Sequence, residues 1–347
     1  MLRARPGTWM TDQQGYRPPA RRRGWCIAAA TAGIVLCVIL AWPHPAPVKE
    51  QTVFYAVDAP AAAKPAYRLP PRVIVGYPAG ETTYTVAYSE KRLQNGLMLL
   101  VDEAHPVPQT LSPDAVGILQ RSGGRVFCRD TTAVLATEAI DALDDLFRHA
   151  RYARHNTLVV FAAARSEEQQ RSALIDRMTA LSRVTTFEAA LAQAKREVEL
   201  PGCSEHQLPW CVDIRICDAW NAMPSSELLD ASPAGQWLLA HCAEYGWIRR
   251  YPEADASSHR GYHFRYVGKG HAAMMDALGL PLEDYLSLLR VYGVLTLMDD
   301  AGAPAVTVIA CPVAQAGDTR MTLPLHGNVE SVSGDNDGWA LASCVYD

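Results

Sequence analysis

A charge excess of either sign is missing from this chain. Its 32 Lys and Arg stand against 37 Asp and Glu over 347 residues, a net charge of −5. Proteins that bind nucleic acid carry clustered basic surface, and this balance gives no reason to expect such a partner. Internal repeats are also missing, which sets aside solenoids and propellers. No two cysteines have the C-x-x-C spacing that a cysteine-rich zinc site would favour. What the chain does have is apolar substance. Hydrophobic residues make up 49% of it, enough for the core of one large or two modest domains.

One long run is free of charge. Gly24–Trp42 spans nineteen residues and includes Ile34-Val35-Leu36-Cys37-Val38-Ile39-Leu40. That length crosses a hydrocarbon core as a helix. Trp25 and Trp42 stand at its ends, where interfacial aromatics belong. Arg3, Arg5, Arg17, Arg21, Arg22 and Arg23 precede it against a single acid, Asp12, which predicts a cytoplasmic N-terminus. A cleaved signal peptide is the other reading, but the run is long for that purpose, and Ala41-Trp42-Pro43 is a poor cleavage site. The expectation is a single-pass membrane anchor with everything after it extracytoplasmic. Residues 43–71, with Pro43, Pro45, Pro47, Pro60, Pro65, Pro70 and Pro71, read as a semi-rigid linker.

Nine cysteines suit an exported protein. Cys26 and Cys37 lie in the apolar run. Of the other seven, Cys311 and Cys344 sit in strand-like stretches and are candidates for a bridge. Cys203, Cys211, Cys217 and Cys242 surround the metal motif described below and read as disulfides or buried thiols.

Arg72–Tyr88 alternates weakly, as one or two short strands would. Leu97–Val101 reads as a buried strand after the turn signal Asn95-Gly96. Ala136–Ala153 is an amphipathic helix, with Thr137 as its cap and Ile140, Leu143, Leu146, Phe147 and Ala150 on one face. Thr157–Ala162 is a short buried strand. It ends at Ala164-Arg165-Ser166, where Ser166 can cap the helix carrying Leu174, Ile175, Met178 and Leu181. Further helices are expected at Phe187–Glu199, Gln236–Gly246 and Ala272–Leu278, and another opens at Pro281. From residue 291 onward, short strand-like runs alternate with Asp- and Gly-rich turns.

The chemistry gathers between Cys203 and Gly268. His206 and Asp213, with His263 beyond, offer two neutral imidazoles and one carboxylate. Such a set holds a catalytic zinc and leaves a fourth position for water. A zinc peptidase also needs a carboxylate to move the proton and a cation to recognise a carboxylate or the developing oxyanion.

Ser204-Glu205-His206-Gln207 followed by Val212-Asp213-Ile214 resembles the signature of the VanY-type D-alanyl-D-alanine carboxypeptidases. Ala164-Arg165-Ser166 with Gln170 is similar to their Tyr-Arg-Ser…Gln element. Trp237-Leu238…Tyr245-Gly246-Trp247…Arg250-Tyr251-Pro252 and Tyr262-His263-Phe264-Arg265-Tyr266-Val267-Gly268 resemble two more of their runs in the same order. Leu282–Leu286 echoes the helix beyond, so the likeness covers about residues 95–290.

The resemblance implies that His206, Asp213 and His263 hold Zn2+. It also implies that Arg165, with Ser166, Gln170 and Ser204, binds substrate, and that the terminal D-Ala of a peptidoglycan stem peptide is removed. One departure matters most. The family's catalytic glutamate lies three residues before the last histidine, and this chain has Arg260 there. Arginine stays protonated and cannot act as a base. Glu253 or Asp255 is then the candidate substitute. The alternative is a pseudopeptidase that binds cell-wall peptide or serves as a scaffold.

The expected architecture is α+β, a hedgehog/D-Ala-D-Ala-peptidase-like domain at 72–290 with helices packed on a small antiparallel sheet. The basic tail (1–23), transmembrane helix (24–42) and linker (43–71) would precede it. A small β module (291–347) would follow.

Overall fold

The computed structural model describes residues 67–112, 114–217, 228–252 and 261–347. The expected basic tail, membrane helix and most of the linker lie outside them, as do Glu253, Asp255 and Arg260. Among the described residues, no helix is long and apolar enough to cross a membrane.

In chain order the strands are β1 (Val73–Val75), β2 (Thr83–Tyr88), β3 (Ala115–Gly117), β4 (Val134–Ala136), β5 (Leu158–Ala162), β6 (Cys211–Ile216), β7 (Trp247–Arg249), β8 (His263–Tyr266), β9 (Val294–Met298), β10 (Pro304–Pro312), β11 (Thr319–Pro324), β12 (Asn328–Gly334) and β13 (Trp339–Val345). The principal helices are α1 (Thr137–Tyr152), α2 (Glu167–Leu181), α3 (Phe187–Glu197), α4 (Pro233–His241), α5 (Lys269–Leu278) and α6 (Leu282–Tyr292).

A four-stranded antiparallel sheet, ordered β5-β6-β8-β7, carries the site. Alternation along β6 divides its faces. Val212, Ile214 and Ile216 enter a core with Ile140, Leu143, Leu146 and Phe147 of α1. Burying such side chains stabilises the fold by roughly 1.5–3 kcal/mol each. Cys211, Asp213 and Arg215 point the other way. The register sets Asp213 opposite His263 and Cys211 opposite Arg265, so these polar groups share one face.

Helix α1 begins as expected, except that Ala136, not Thr137, holds the extended cap position. Helix α2 starts with a full capping box, in which Ser166 and Gln169 satisfy each other's backbone amides. Leu97–Val101 is buried but forms no strand. Its backbone groups are taken elsewhere. Met98 N–H donates to Ser333 Oγ (2.9 Å), Leu100 N–H to the Asp335 carbonyl (2.9 Å), and the Leu97 and Leu99 carbonyls accept from Arg265 (2.6 and 2.7 Å).

A second antiparallel sheet, ordered β1-β9-β10-β13-β12, lies C-terminal to the site, and β2 pairs with β11. Met274, Met275, Tyr285, Leu286 and Leu289 of α5 and α6 share a core with Val306 and Val308 of β10. The strands after residue 291 therefore draw in β1, β2, α5 and α6, and the expected boundary runs through one core.

None of the seven described cysteines forms a disulfide. The candidate bridge fails on register. Cys311 stands opposite Ala340 and Cys344 opposite Thr307, four residues apart along the ladder. That is ~13 Å, about twice the Cα separation a disulfide spans.

Candidate active site

His206 sits in a 3-10 turn, Glu205–Gln207, capped by Ser204, whose hydroxyl accepts from the His206 amide. The Arg165 amide donates to the His206 carbonyl (2.6 Å), tying the end of β5 to this turn. Asp213 comes from β6 and His263 from β8. Asp213 Oδ1 lies 3.3 Å from His206 Nε2 and 2.9 Å from His263 Nδ1. The three ligand atoms fall within 4.8 Å of one another, and all three residues are buried. Tetrahedral bonds of ~2.0–2.1 Å to zinc place neighbouring ligand atoms roughly 3.3 Å apart. The donor set and its spacing therefore fit the ion.

The outer hydrogen bonds orient each ring. His206 Nδ1 donates to the Ala163 carbonyl (2.9 Å), leaving Nε2 facing Asp213. His263 Nε2 donates to Glu205 Oε2 (3.2 Å), leaving Nδ1 facing Asp213. Such partners fix the tautomer of a metal-binding imidazole.

Glu205 is itself enclosed. Its Oε1 accepts from Arg250 Nε (2.8 Å) and Arg265 Nη1 (2.7 Å), and it has no exposed surface. Burial pushes its carboxyl up, but the two guanidiniums and His263 outweigh that and hold it well below the usual range. Burial likewise opposes charge on Asp213, and the two imidazoles override it downward. Arg250 continues to Glu283 of α6 (2.9 Å), so the site is braced by charge pairs reaching outward. Sequence reasoning missed Glu205, Arg250 and Arg265 as a unit. Their signal was three charged residues in strongly apolar surroundings, which in a folded core must pair.

The ligands open onto a groove of about 660 Å3. Arg165, Gln170, Ser204 and Tyr251 line it beside the metal residues. Arg165 Nη1 donates to Gln170 Oε1 (3.0 Å), and Gln170 is held in turn by the Glu199 carbonyl (2.8 Å). Ser204 Oγ donates to Glu199 Oε2 (2.7 Å). Of the residues expected to meet substrate, Arg165 has its guanidinium in the groove, while Gln170 and Ser204 hold neighbours in place. The Ser166 hydroxyl is engaged in capping α2. Tyr251 stacks 6.1 Å from the His263 ring, and burial raises its hydroxyl above the ordinary tyrosine value.

Residues 132–269 match the family described as VanY, D-alanyl-D-alanine carboxypeptidase. The chain is 30% identical over 218 residues to a D-alanyl-D-alanine carboxypeptidase of Enterococcus faecalis, covering 60% of this chain and 72% of that one. It is 34% identical over 102 residues to a bifunctional D-Ala-D-Ala dipeptidase and carboxypeptidase of Enterococcus gallinarum, covering 28% and 54%. In fold it is similar to the D,D-dipeptidase VanXYg, solved with a D-Ala-D-Ala phosphinate analogue. That likeness has a TM-score of 0.60 at 19% identity, over 76% of this chain and 99% of the other.

Proposed function

The chain belongs to the VanY family of D-alanyl-D-alanine carboxypeptidases and is a peptidase, and from that premise we propose that it uses Zn2+ to remove the terminal D-alanine from peptidoglycan stem peptides. The observation that carries this reading is the convergence of His206, Asp213 and His263 on one point, with the Arg165 guanidinium in the same groove. When bound, zinc would polarise the scissile carbonyl and acidify water at the site.

The chain's own residues do the rest. His206 and His263 present the correct nitrogens because Ala163 and Glu205 hold the opposite ones. Arg165 supplies the cation that receives substrate carboxylate or the developing oxyanion, and Gln170 fixes its direction. Ser204 shapes the pocket wall through Glu199. Proton transfer falls to Glu253 or Asp255, since the position three before His263 is Arg260. The apolar run at 24–42 would anchor the enzyme with this domain on the extracytoplasmic side, where the substrate lies.

The test is D-alanine release from a stem pentapeptide, with zinc content measured on the same sample. Release that depends on zinc supports the proposal. Stoichiometric zinc without release overturns it and leaves a peptide-binding scaffold.

A further inference from the structure

Two guanidiniums in the groove play no part in the chemistry described so far. Arg215 follows Asp213 by two residues on β6 and so faces the same side. Its guanidinium is layered between two rings, 3.5 Å from the centroid of Phe161 and 4.4 Å from that of Tyr262. The Arg129 guanidinium lies 4.4 Å from the centroid of the same Phe161 ring. Phe161 is presented there by a β-bulge between Val160 and Ala162 in the β5–β6 pairing. The three side chains form a ladder, cation on ring on cation.

Among the described residues, this ladder lacks the anion that would normally balance it. Among the described residues, neither Arg129 nor Arg215 pairs with a carboxylate, and Arg215 Nε is buried with no hydrogen-bond partner. The acids that share the groove are committed elsewhere or set apart. Asp213 faces the two imidazoles, Glu199 accepts from Ser204, and Glu197 pairs with Arg177. Asp130, next to Arg129, accepts from the Thr132 amide and hydroxyl (2.8 and 2.7 Å). Asp176 also lines the groove but makes no ion pair with either arginine. Ring stacking thus holds two positive charges in place without neutralising them.

Position says what they meet. Arg129, Phe161 and Arg165 line both the main groove and an adjoining hollow of about 330 Å3. The cleft therefore extends past His206, Asp213 and His263 to Arg129 and Phe161. Arg165 already supplies a cation beside His206.

We propose that Arg215 and Arg129, stacked on Phe161, form a specificity subsite for a side-chain carboxylate on the substrate residue that precedes the D-Ala-D-Ala terminus. This rests on the peptidase reading of the same groove. A carboxylate there would accept from the terminal nitrogens of the two guanidiniums. The bonds are charge-assisted, and the one to half-buried Arg215 is partly shielded from water, a setting in which such a bond contributes more than at an open surface.

The test uses the zinc-loaded full chain and two stem pentapeptides. They are identical except that the residue before D-Ala-D-Ala carries a free side-chain carboxylate in one and its primary amide in the other. Affinity is measured by calorimetry and D-alanine release in parallel. The expected result is about tenfold tighter binding of the acid peptide, with the preference abolished in Arg215→Gln and reduced in Arg129→Gln. Arg129 is exposed, so its replacement tests the subsite without burdening the core. Equal affinity for the two peptides in the unaltered protein overturns the proposal. So does a preference that survives Arg215→Gln and Arg129→Gln together. A preference for a free terminal carboxylate over a terminal amide that vanishes in Arg215→Gln, with no discrimination at the side chain, overturns it by assigning the arginine to the leaving residue. Binding reads the subsite directly. Failure of hydrolysis alone, with the acid preference intact, would strike the proposed reaction and leave the subsite standing.

Discussion

Glu205 Oε2 stands 3.2 Å from His263 Nε2, on the side of the imidazole away from Asp213. The ring is thus gripped between two carboxylates, one at the metal position and one behind it. The rear carboxylate remains charged because Arg250 and Arg265 share its other oxygen. Glu205→Gln keeps the shape and removes the charge, leaving the buried Arg265 guanidinium short of an anion and Arg250 with Glu283 alone. It should lower stability by about 3–5 kcal/mol and weaken zinc binding by roughly 10–100-fold. Denaturant melts and competition with a zinc chelator check the two effects separately.

Replacing a ligand acts differently. His206→Ala or His263→Ala should abolish stoichiometric zinc and take D-alanine release with it. Extraction of the native protein with a chelator should do the same, reversibly on adding zinc back. Metal analysis before and after re-addition provides the check. Release that persists in zinc-free protein contradicts the assignment.

Arg165 is held by Gln170, so the contribution of its charge can be separated from that of its orientation. Arg165→Lys preserves charge and loses the planar fork. It should reduce kcat/KM by about 10–100-fold, a loss of roughly 1.4–2.8 kcal/mol, with zinc content unchanged. Gln170→Ala should give a smaller decrease of the same kind by loosening the guanidinium. Steady-state kinetics on zinc-verified samples measures both.

Arg260 makes the source of the proton relay an open experimental target. Glu253→Gln and Asp255→Asn should separate the candidates. The one that serves as base should lose ~10²–10⁴-fold in kcat, and the other should change little. Equal activity in both variants and in the double variant removes both residues from the role.

His271 provides a pH signature away from the groove. It is fully buried, its Nδ1 lies 2.7 Å from the Tyr285 hydroxyl, and burial pulls its pKa down to about 3. The unfolded chain takes up this proton near pH 6.5, while the folded chain resists until about pH 3. Between those values the unfolded state binds more protons, so stability falls as pH falls. The slope from this residue approaches 1.4 kcal/mol per pH unit. Thermal melts from pH 7 to 4 should show a shallower decline in His271→Asn than in the unaltered chain.

Much of the site could be read in advance because its residues lie close in sequence and in fixed order. His206 and Asp213 are separated by a turn and a strand start, and the strand register then brings in His263. Ser166 was legible as a cap because capping is local. Leu97–Val101 was misread for the opposite reason. Its composition favours a strand, but its carbonyls and amides are claimed by Arg265, Ser333 and Asp335, more than 160 residues away. The boundary at 291 had the same flaw. Turn-rich composition marks strands well but cannot reveal that β1 and β2 complete those sheets. Arg215 carried no signal in the sequence, because its place depends on the bulge at Phe161 that gives it a ring to rest on.

The irregular Leu97–Val101 segment has a consequence for any shortened form of the protein. One edge of it steadies Arg265, which holds Glu205, which turns His263; the other edge leans on Ser333 at the end of β12 and on Asp335 in the turn that follows. A chain cut after residue 290 would keep every metal ligand and still lose the backstop that aims one of them. If the proposed zinc site is correct, its affinity would be a gauge of whether the last fifty-odd residues are folded.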